Sequence, residues 1–169
     1  MCPEVTAANA LAPMLPTNYG GDDMRHATPD QLKEVFGLFR TYPAIFPHMR
    51  QDALSRRIAA EQCIYEDGVA ITYQQYKKRT RVGDVEVPRG AVMLHQIVNS
   101  QQFSGAGGRV FENFCAEVVG PLGGKLYLTV RQENKTACSF YKRHGMKVVG
   151  SVAWAKGTIP GHIYFRGLA

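Results

Sequence analysis

Leu32, Val35, Phe36 and Phe39 recur at helical spacing and predict one apolar helix face. Thr28-Pro29-Asp30-Gln31 supplies the start: a capping Thr, a Pro suited to the first turn, and a Gln that closes a capping box. Tyr42-Pro43 stops this helix. A second helix is predicted over residues 47–60, with Met49, Ala53, Leu54 and Ile58 inward and Arg50, Arg56 and Arg57 outward. The linker Ala44-Ile45-Phe46 is apolar, so it either plugs the core or lines a pocket. Residues 24–27 read as a short edge strand. Strands over 62–66 and 69–76 flank Asp67-Gly68, a pair suited to the positive φ of a two-residue hairpin turn. The second strand runs on into 77–81, Gly83-Asp84 turns the chain, and 85–87 leads back. The pattern predicts an antiparallel meander.

The run 91–98 is apolar on both faces, as befits a central strand covered on each side. A glycine-rich loop follows, then a helix carrying Val110, Phe111, Phe114 and Val118 on one face and ending at Gly120-Pro121. Gly123-Gly124 leads into a strand over 126–130. Strand, helix and strand in this order imply a parallel pair with a right-handed crossover. Asn134 caps a further helix bearing Ala137, Phe140 and Tyr141, and Gly145 is its left-handed terminator. Strands over 146–154 and 162–166, joined by a turn region at 155–161, close the chain. Residues 1–22, broken by Pro3, Pro13, Pro16 and Gly20-Gly21, read as an irregular arm, and 23–169 as a single domain.

At 169 residues, 45% hydrophobic and 20% charged, the composition is that of a soluble globular chain with a real core. No apolar run nears the roughly 20 residues of a membrane span, and no secretory start is evident, so the expected location is cytoplasmic. Cys2, Cys63, Cys115 and Cys138, like the histidines at 26, 48, 95, 144 and 162, lack metal-motif spacing. Idle reduced thiols and no metal are expected. A net charge of +6 and a pI near 9.3 suit an anionic ligand or partner, such as a nucleotide cofactor or nucleic acid.

Gly105, Gly107 and Gly108 free the backbone to curl so that its N–H groups converge, and the helix that follows adds its own unpaired N–H groups and positive dipole end. An anion is the natural occupant, with Arg109 placed to add a charge-assisted contact. No Gly-Lys-Ser/Thr ending is present, which excludes a Walker A loop. No acidic residue stands where a dinucleotide fold would place its ribose ligand.

Gln102-Phe103-Ser104-Gly105-Ala106-Gly107 between a strand and a helix resembles the Q/R-x-x-G-x-G/A acetyl-CoA signature of the GCN5-related N-acetyltransferase (GNAT) superfamily. The later block of strand 126–130, Asn134, Ala137, Phe140-Tyr141 and Gly145-Met146 resembles that family's next motif. The order of elements agrees from Met24 to Phe165. The resemblance implies a GNAT-like α/β (α+β) fold: a mixed, mostly antiparallel sheet with a central splayed parallel pair, flanked by helices. It also implies transfer of an acetyl group from acetyl-CoA directly to an amine acceptor. Ser104, Gly105, Ala106, Gly107, Gly108 and Arg109, with Gln102, would hold the pyrophosphate. The strand end at Ile97, Val98 and Asn99 would pair with the pantetheine arm, a backbone amide near Ile97 would polarise the acetyl carbonyl, and Asn134 would contact the cofactor arm or serve as a helix cap.

Tyr141 stands where the family often keeps a tyrosine general acid. The family's glutamate position is Ala91 here, which cannot act as a base. His95, on the same strand with the same parity barring a bulge, has a pKa suited to a base near neutral pH, and a satisfied core histidine is the alternative. Glu61, Glu66 and His162 are lesser candidates. The acceptor, shaped by residues 42–49 and 155–161, is left open among small molecule, protein and nucleic acid. Lys77-Lys78-Arg79-Thr80-Arg81 with Tyr73 and Tyr76 would touch nucleic acid by phosphate contacts and stacking, or be a solvated hairpin tip. A non-catalytic acyl-CoA-binding protein is the other reading, and the pattern leaves room for a homodimer.

Overall fold

Six strands form the main sheet of the computed structural model, which describes residues 24–101 and 104–168. The elements are α1 (Leu32–Arg40), α2 (Gln51–Ala59), β1 (Cys63–Glu66), β2 (Val69–Gln75), β3 (Thr80–Val82), β4 (Val85–Val87), β5 (Val92–Asn99), α3 (Ala106–Phe114), β6 (Lys125–Arg131), α4 (Lys135–Arg143), β7 (Lys147–Trp154) and β8 (Ile159–Gly167). The sheet order is β1-β2-β5-β6-β8-β7, and only β5 and β6 run parallel. The mixed, mostly antiparallel architecture with a central parallel pair is therefore as expected. The arm at 1–22 lies outside the described residues.

Local signals set most element ends. Gln31 Oε1 accepts from the Thr28 amide at 2.9 Å and starts a 3-10 turn that runs into α1. Asp67 and Gly68 both take positive φ, 50° and 73°, so β1 and β2 meet through the two-residue turn their sequence demands. Residues 24–27 contribute a single bridge, His26 to Ile64, rather than a strand. The second helix begins at Gln51, four residues later than the pattern implied. β8 reaches back to Ile159, which shortens the preceding turn.

The meander forms only in part: β1 and β2 pair antiparallel as expected. β2 pairs directly with β5, and the chain between them leaves the sheet as a separate β3–β4 hairpin. Tyr76 and Ala91 close its neck, and Val82, Val85 and Val87 pack with Tyr76, Ala91, Met93 and Tyr127. Burying those apolar side chains on the sheet face outweighs extending the ladder. At the tip, Asp84 Oδ1 accepts from the Ser151 amide at 2.8 Å and the Asp84 amide donates to the Ser151 carbonyl at 3.1 Å. Gly83 is required there: its φ is +54°, and a Cβ would stand 2.1 Å from the Ser151 carbonyl oxygen. The hairpin thus reaches across one sheet face to β7.

Two cores result. On one face Phe111 and Phe114 of α3 and Phe140 and Tyr141 of α4 pack on Leu94, Ile97, Leu126, Leu128 and Tyr164. On the other, α1 and α2 cover Ala70 and Val98 with Val35, Phe39, Leu54 and Ile58, and the hairpin lies on the same face. Phe46 is buried edge-on against Phe39, ring centroids 4.9 Å apart, so the apolar linker plugs this core.

Glu112 ties α3, α4 and β8 together. Its carboxylate accepts from Arg166 Nη1 at 3.0 and 3.1 Å and from His144 Nδ1 at 2.8 Å. Partial burial alone would raise its pKa, but hydrogen bonds from Arg166 and His144 outweigh that and hold it below the ordinary carboxylate value. A lowered folded-state pKa stabilises the fold above the unfolded value and is lost as pH falls through the folded one. Glu112→Gln is expected to cost about 1 kcal/mol at pH 7, after discounting for solvent screening, and to flatten the acid limb below pH 5. Urea titrations at pH 7 and pH 4 measure both.

Candidate active site

β5 carries one residue too many for its neighbour. Thr72 of β2 pairs with Gln96 and Tyr73 with Leu94, which leaves His95 as the extra residue of a β-bulge. On the other side β5 pairs with β6 only at Val92↔Leu126, Met93↔Tyr127 and Leu94↔Leu128. Pairing stops where the bulge begins. A bulge bends its strand and increases local twist, so the two parallel strands part toward their C-terminal ends. The edge of β5 through Ile97, Val98 and Asn99 then faces a wedge-shaped gap, while its other edge is taken by Ile71, Ala70 and Val69 of β2.

At the mouth of this gap the chain forms the glycine loop. Asn99 is buried and shapes it: its Oδ1 accepts from the Gln101 amide at 3.0 Å, and its carbonyl accepts from the Tyr42 hydroxyl at 3.3 Å. Ser104 Oγ accepts from the Ala106 amide at 3.3 Å. Gly105 is the α3 cap with φ +82°, a left-handed conformation that suits glycine. Ala106, Gly107 and Gly108 are buried in the first turn of α3, and glycine at 107 and 108 puts no side chain over the turn's amides. Arg109 lies beside the loop at 3.7 Å from Asp67 of the β1–β2 turn. Gln102 lies outside the described residues. The Ser104, Ala106 and Arg109 amides are taken by the Gln101 carbonyl, Ser104 Oγ and the Gly105 carbonyl, which leaves Gly107 and Gly108 as the first-turn donors; with the helix dipole and one adjacent guanidinium they fit a diphosphate.

Tyr141 is fully buried on α4, with Phe111 at 6.0 Å, Phe140 at 5.4 Å and Tyr164 at 6.0 Å between ring centroids. Asn134 caps α4: its Oδ1 accepts from the Ala137 amide at 3.1 Å. His95 does not have the near-neutral pKa expected of it. Burial, reinforced by the Arg57 charge, pushes it down to about 3. Its Nε2 meets Gln74 Oε1 at 3.1 Å, so Nε2 carries the proton and Nδ1 the lone pair. Gln96 Oε1 accepts from the Thr72 hydroxyl beside it. His95, Gln96, Gln74 and Thr72 form an uncharged polar patch at the apex of the gap, on the face covered by α2 and the hairpin.

Other sequence candidates fall elsewhere. Ala91 is buried in the hairpin cluster. Glu66 lies at the β1 end against Asp67, and the Glu61 carbonyl accepts from the Tyr73 hydroxyl at 3.0 Å. His162 pairs with Val130 in β8. Lys77, Lys78, Arg79 and Arg81 are exposed, and of the aromatic rings expected beside them Tyr73 is buried and Tyr76 partly so. Tyr73 packs on Phe114 at 5.1 Å, and Tyr76 belongs to the hairpin cluster. Burial pushes the Cys63 and Cys115 thiols up to about 12, which keeps them protonated and unreactive. Among the described residues no group of three His, Cys, Asp or Glu side chains could hold a metal ion, and no helix is long and apolar enough to cross a membrane.

Sequence reasoning missed Arg57. Assigned to the outer face of α2, it is half-buried and turned inward, with Nη1 3.4 Å from both Gln62 Oε1 and the Tyr73 carbonyl. No periodicity signal marks it. The bulge had one visible cue, the polar pair His95-Gln96 inside an apolar strand.

No family model matches the chain, and no curated protein is similar to it in sequence. Solved structures do match. An acetyltransferase of the GNAT family from Bacillus cereus is 15% identical with a TM-score of 0.61, over 87% of this chain and 97% of that one. Ard1 from Thermoplasma volcanium is 16% identical with a TM-score of 0.66, over 86% and 97%. A GNAT-family acetyltransferase from Streptococcus agalactiae is 15% identical with a TM-score of 0.66, over 89% and 98%. At these identities the likeness is one of fold.

Proposed function

The protein has the fold of the GCN5-related N-acetyltransferases, and from that premise we propose that it moves an acetyl group from acetyl-CoA directly to an amine. The observation that carries the reading is the bulge at His95. It ends the β5–β6 pairing at Leu94↔Leu128 and opens a gap whose mouth is the glycine loop. Bound there, the thioester supplies an activated acyl carbon.

The chain's own groups divide the work. The first-turn amides of Gly107 and Gly108, together with Gln102, the Arg109 guanidinium and the α3 dipole, bind the pyrophosphate. The free edge of β5 at Ile97, Val98 and Asn99 pairs with the amide-bearing arm, and an amide near Ile97 polarises the acyl carbonyl. Asn134 spends its Oδ1 on the α4 cap and keeps its Nδ2 for the cofactor arm. As the C–N bond forms and the C–S bond breaks, Tyr141 gives its proton to the sulfur. His95 stays neutral and accepts a hydrogen bond at Nδ1 from the acceptor N–H. The amine's surplus proton passes to water, from which Tyr141 is reprotonated.

Acetyl-CoA at about a hundredfold excess over its Kd is expected to stabilise the protein by about 2.7 kcal/mol in a thermal-shift titration. Thiol release across an amine panel then tests transfer. Absence of stabilisation at millimolar ligand removes the donor assignment. Stabilisation without thiol release from any amine favours a second reading, a non-catalytic acyl-CoA-binding protein. The specific support for that alternative is the lack of a charged base at the apex: Ala91 is buried and His95 is held neutral.

A further inference from the structure

On the face opposite α3 and α4, the apex of the gap has two walls, α2 and the β3–β4 hairpin. Arg57 extends from α2 to β2 near the hairpin's neck, and its charge is felt at His95. It leaves α2 beside buried Leu54 and Ile58 and donates to the carbonyl of Tyr73, the residue paired with Leu94 just before the bulge. Cys63 and Tyr76 are its other polar neighbours, both uncharged at neutral pH. Its two hydrogen bonds are long, 3.4 Å each, and end on neutral oxygens.

That arrangement is costly as it stands. Among the described residues no carboxylate lies within 4.0 Å of Arg57, whereas Arg56 and Arg50, its neighbours on the outer face, both pair with Asp52. A guanidinium has five N–H donors, and a half-buried one is normally matched by an anion. Partial desolvation lowers the Arg57 pKa, and its charge in turn helps keep His95 neutral. The rest of the apex, Thr72, Gln74, Gln96 and His95, offers hydrogen bonds without charge. A bare cationic amine would find hydrogen-bond acceptors here but, in Arg57, a like charge. An amine that also carries an anion would have its anion matched and its nitrogen brought near the gap.

We propose that Arg57 receives a carboxylate of the acceptor, so that the acceptor class is amines bearing a carboxylate, amino acids included. This rests on the transferase reading for its site, but not for its test. Calorimetric titration into CoA-saturated protein compares matched pairs: L-phenylalanine against phenethylamine, and 4-aminobutyrate against butylamine. An amine carrying a phosphate in place of the carboxylate serves as a third arm. The carboxylated member of at least one pair is expected to bind at least about tenfold more tightly, the worth of a charge-assisted hydrogen bond. Arg57→Gln abolishes that preference, and Arg57→Lys keeps part of it because the charge remains while the planar fork is lost. CoA affinity, unchanged in both variants, reports that the fold is intact. In turnover the same loss appears in KM with kcat retained.

Equal binding of the two members of each pair, no binding by any member, a stronger preference for the phosphate arm, or a preference that survives Arg57→Gln each overturns the proposal. Failure of the transferase reading looks different: carboxylate-dependent binding persists while no thiol is released.

Discussion

Tyr141→Phe is expected to lower kcat by at least about 10²-fold while leaving acetyl-CoA affinity within about twofold. The substitution removes one oxygen from a residue with no solvent exposure. Its ring lies among Phe111, Phe140 and Tyr164, all of which tolerate phenylalanine's shape, so the α3–α4 core should survive with a change under about 1.5 kcal/mol. Loss of rate without loss of fold then isolates the proton that the departing sulfur needs. Tyr164→Phe is the control. Tyr164 is equally buried, and burial and its neighbour Cys138 hold its phenol in the protonated form, but its place on β8 gives it no part in the proposed transfer. Single-turnover thiol release with both variants separates the two tyrosines. Unchanged turnover in Tyr141→Phe would move the general acid elsewhere.

The family resemblance singled out Tyr141 as an acid, and short-range chemistry placed it on its helix. Asn134 caps α4, Ala137, Phe140 and Tyr141 share its inner face, and Gly145 ends it at φ +76°. Each of those signals acts within a few residues, so each is legible in a local pattern. The glycine loop is of the same kind, since Gly105 must take a left-handed φ to start α3.

What was not legible depends on competition between distant segments. β5 can satisfy β2 along its whole length only by accommodating His95 as a bulge, and it thereby gives up β6 beyond Leu94. The polar pair His95-Gln96 is the one cue within β5, and the trade itself is set by two partner strands that precede and follow it in the chain. The β3–β4 hairpin is similar. Its alternation of Val82, Val85 and Val87 suits a sheet strand, and only the docking of Asp84 on Ser151, 67 residues away, shows that these side chains cover the sheet instead of extending it. Arg57 lies on a helix whose neighbouring positions Arg50 and Arg56 do face solvent, so periodicity assigned it with them. The acceptor side of the site is therefore built mainly of residues whose positions are tertiary outcomes, while the donor side is built of local motifs.

The same bulge predicts an unusual pH dependence. His95 has a folded-state pKa of about 3, lowered first by burial and then by the Arg57 charge, against about 6.5 in an unfolded chain. The unfolded state therefore binds the proton more readily. The stabilisation is fully present above pH 6.5 and is lost as pH falls toward 3, with a slope approaching about 1.4 kcal/mol per pH unit. Between pH 6.5 and pH 5 the protein should lose about 1.7 kcal/mol from this group. That window lies above the range in which Glu112 gives up its own contribution. His95→Gln keeps a polar group that can bond Gln74 but cannot titrate, so its stability curve should be nearly flat across the window. Urea midpoints at half-unit pH steps give the two curves, and their difference cancels every group the two proteins share. Parallel curves would mean that His95 is protonated as easily in the fold as out of it. It would then be free to act as a base, and the hydrogen-bonding role given to its Nδ1 would be wrong.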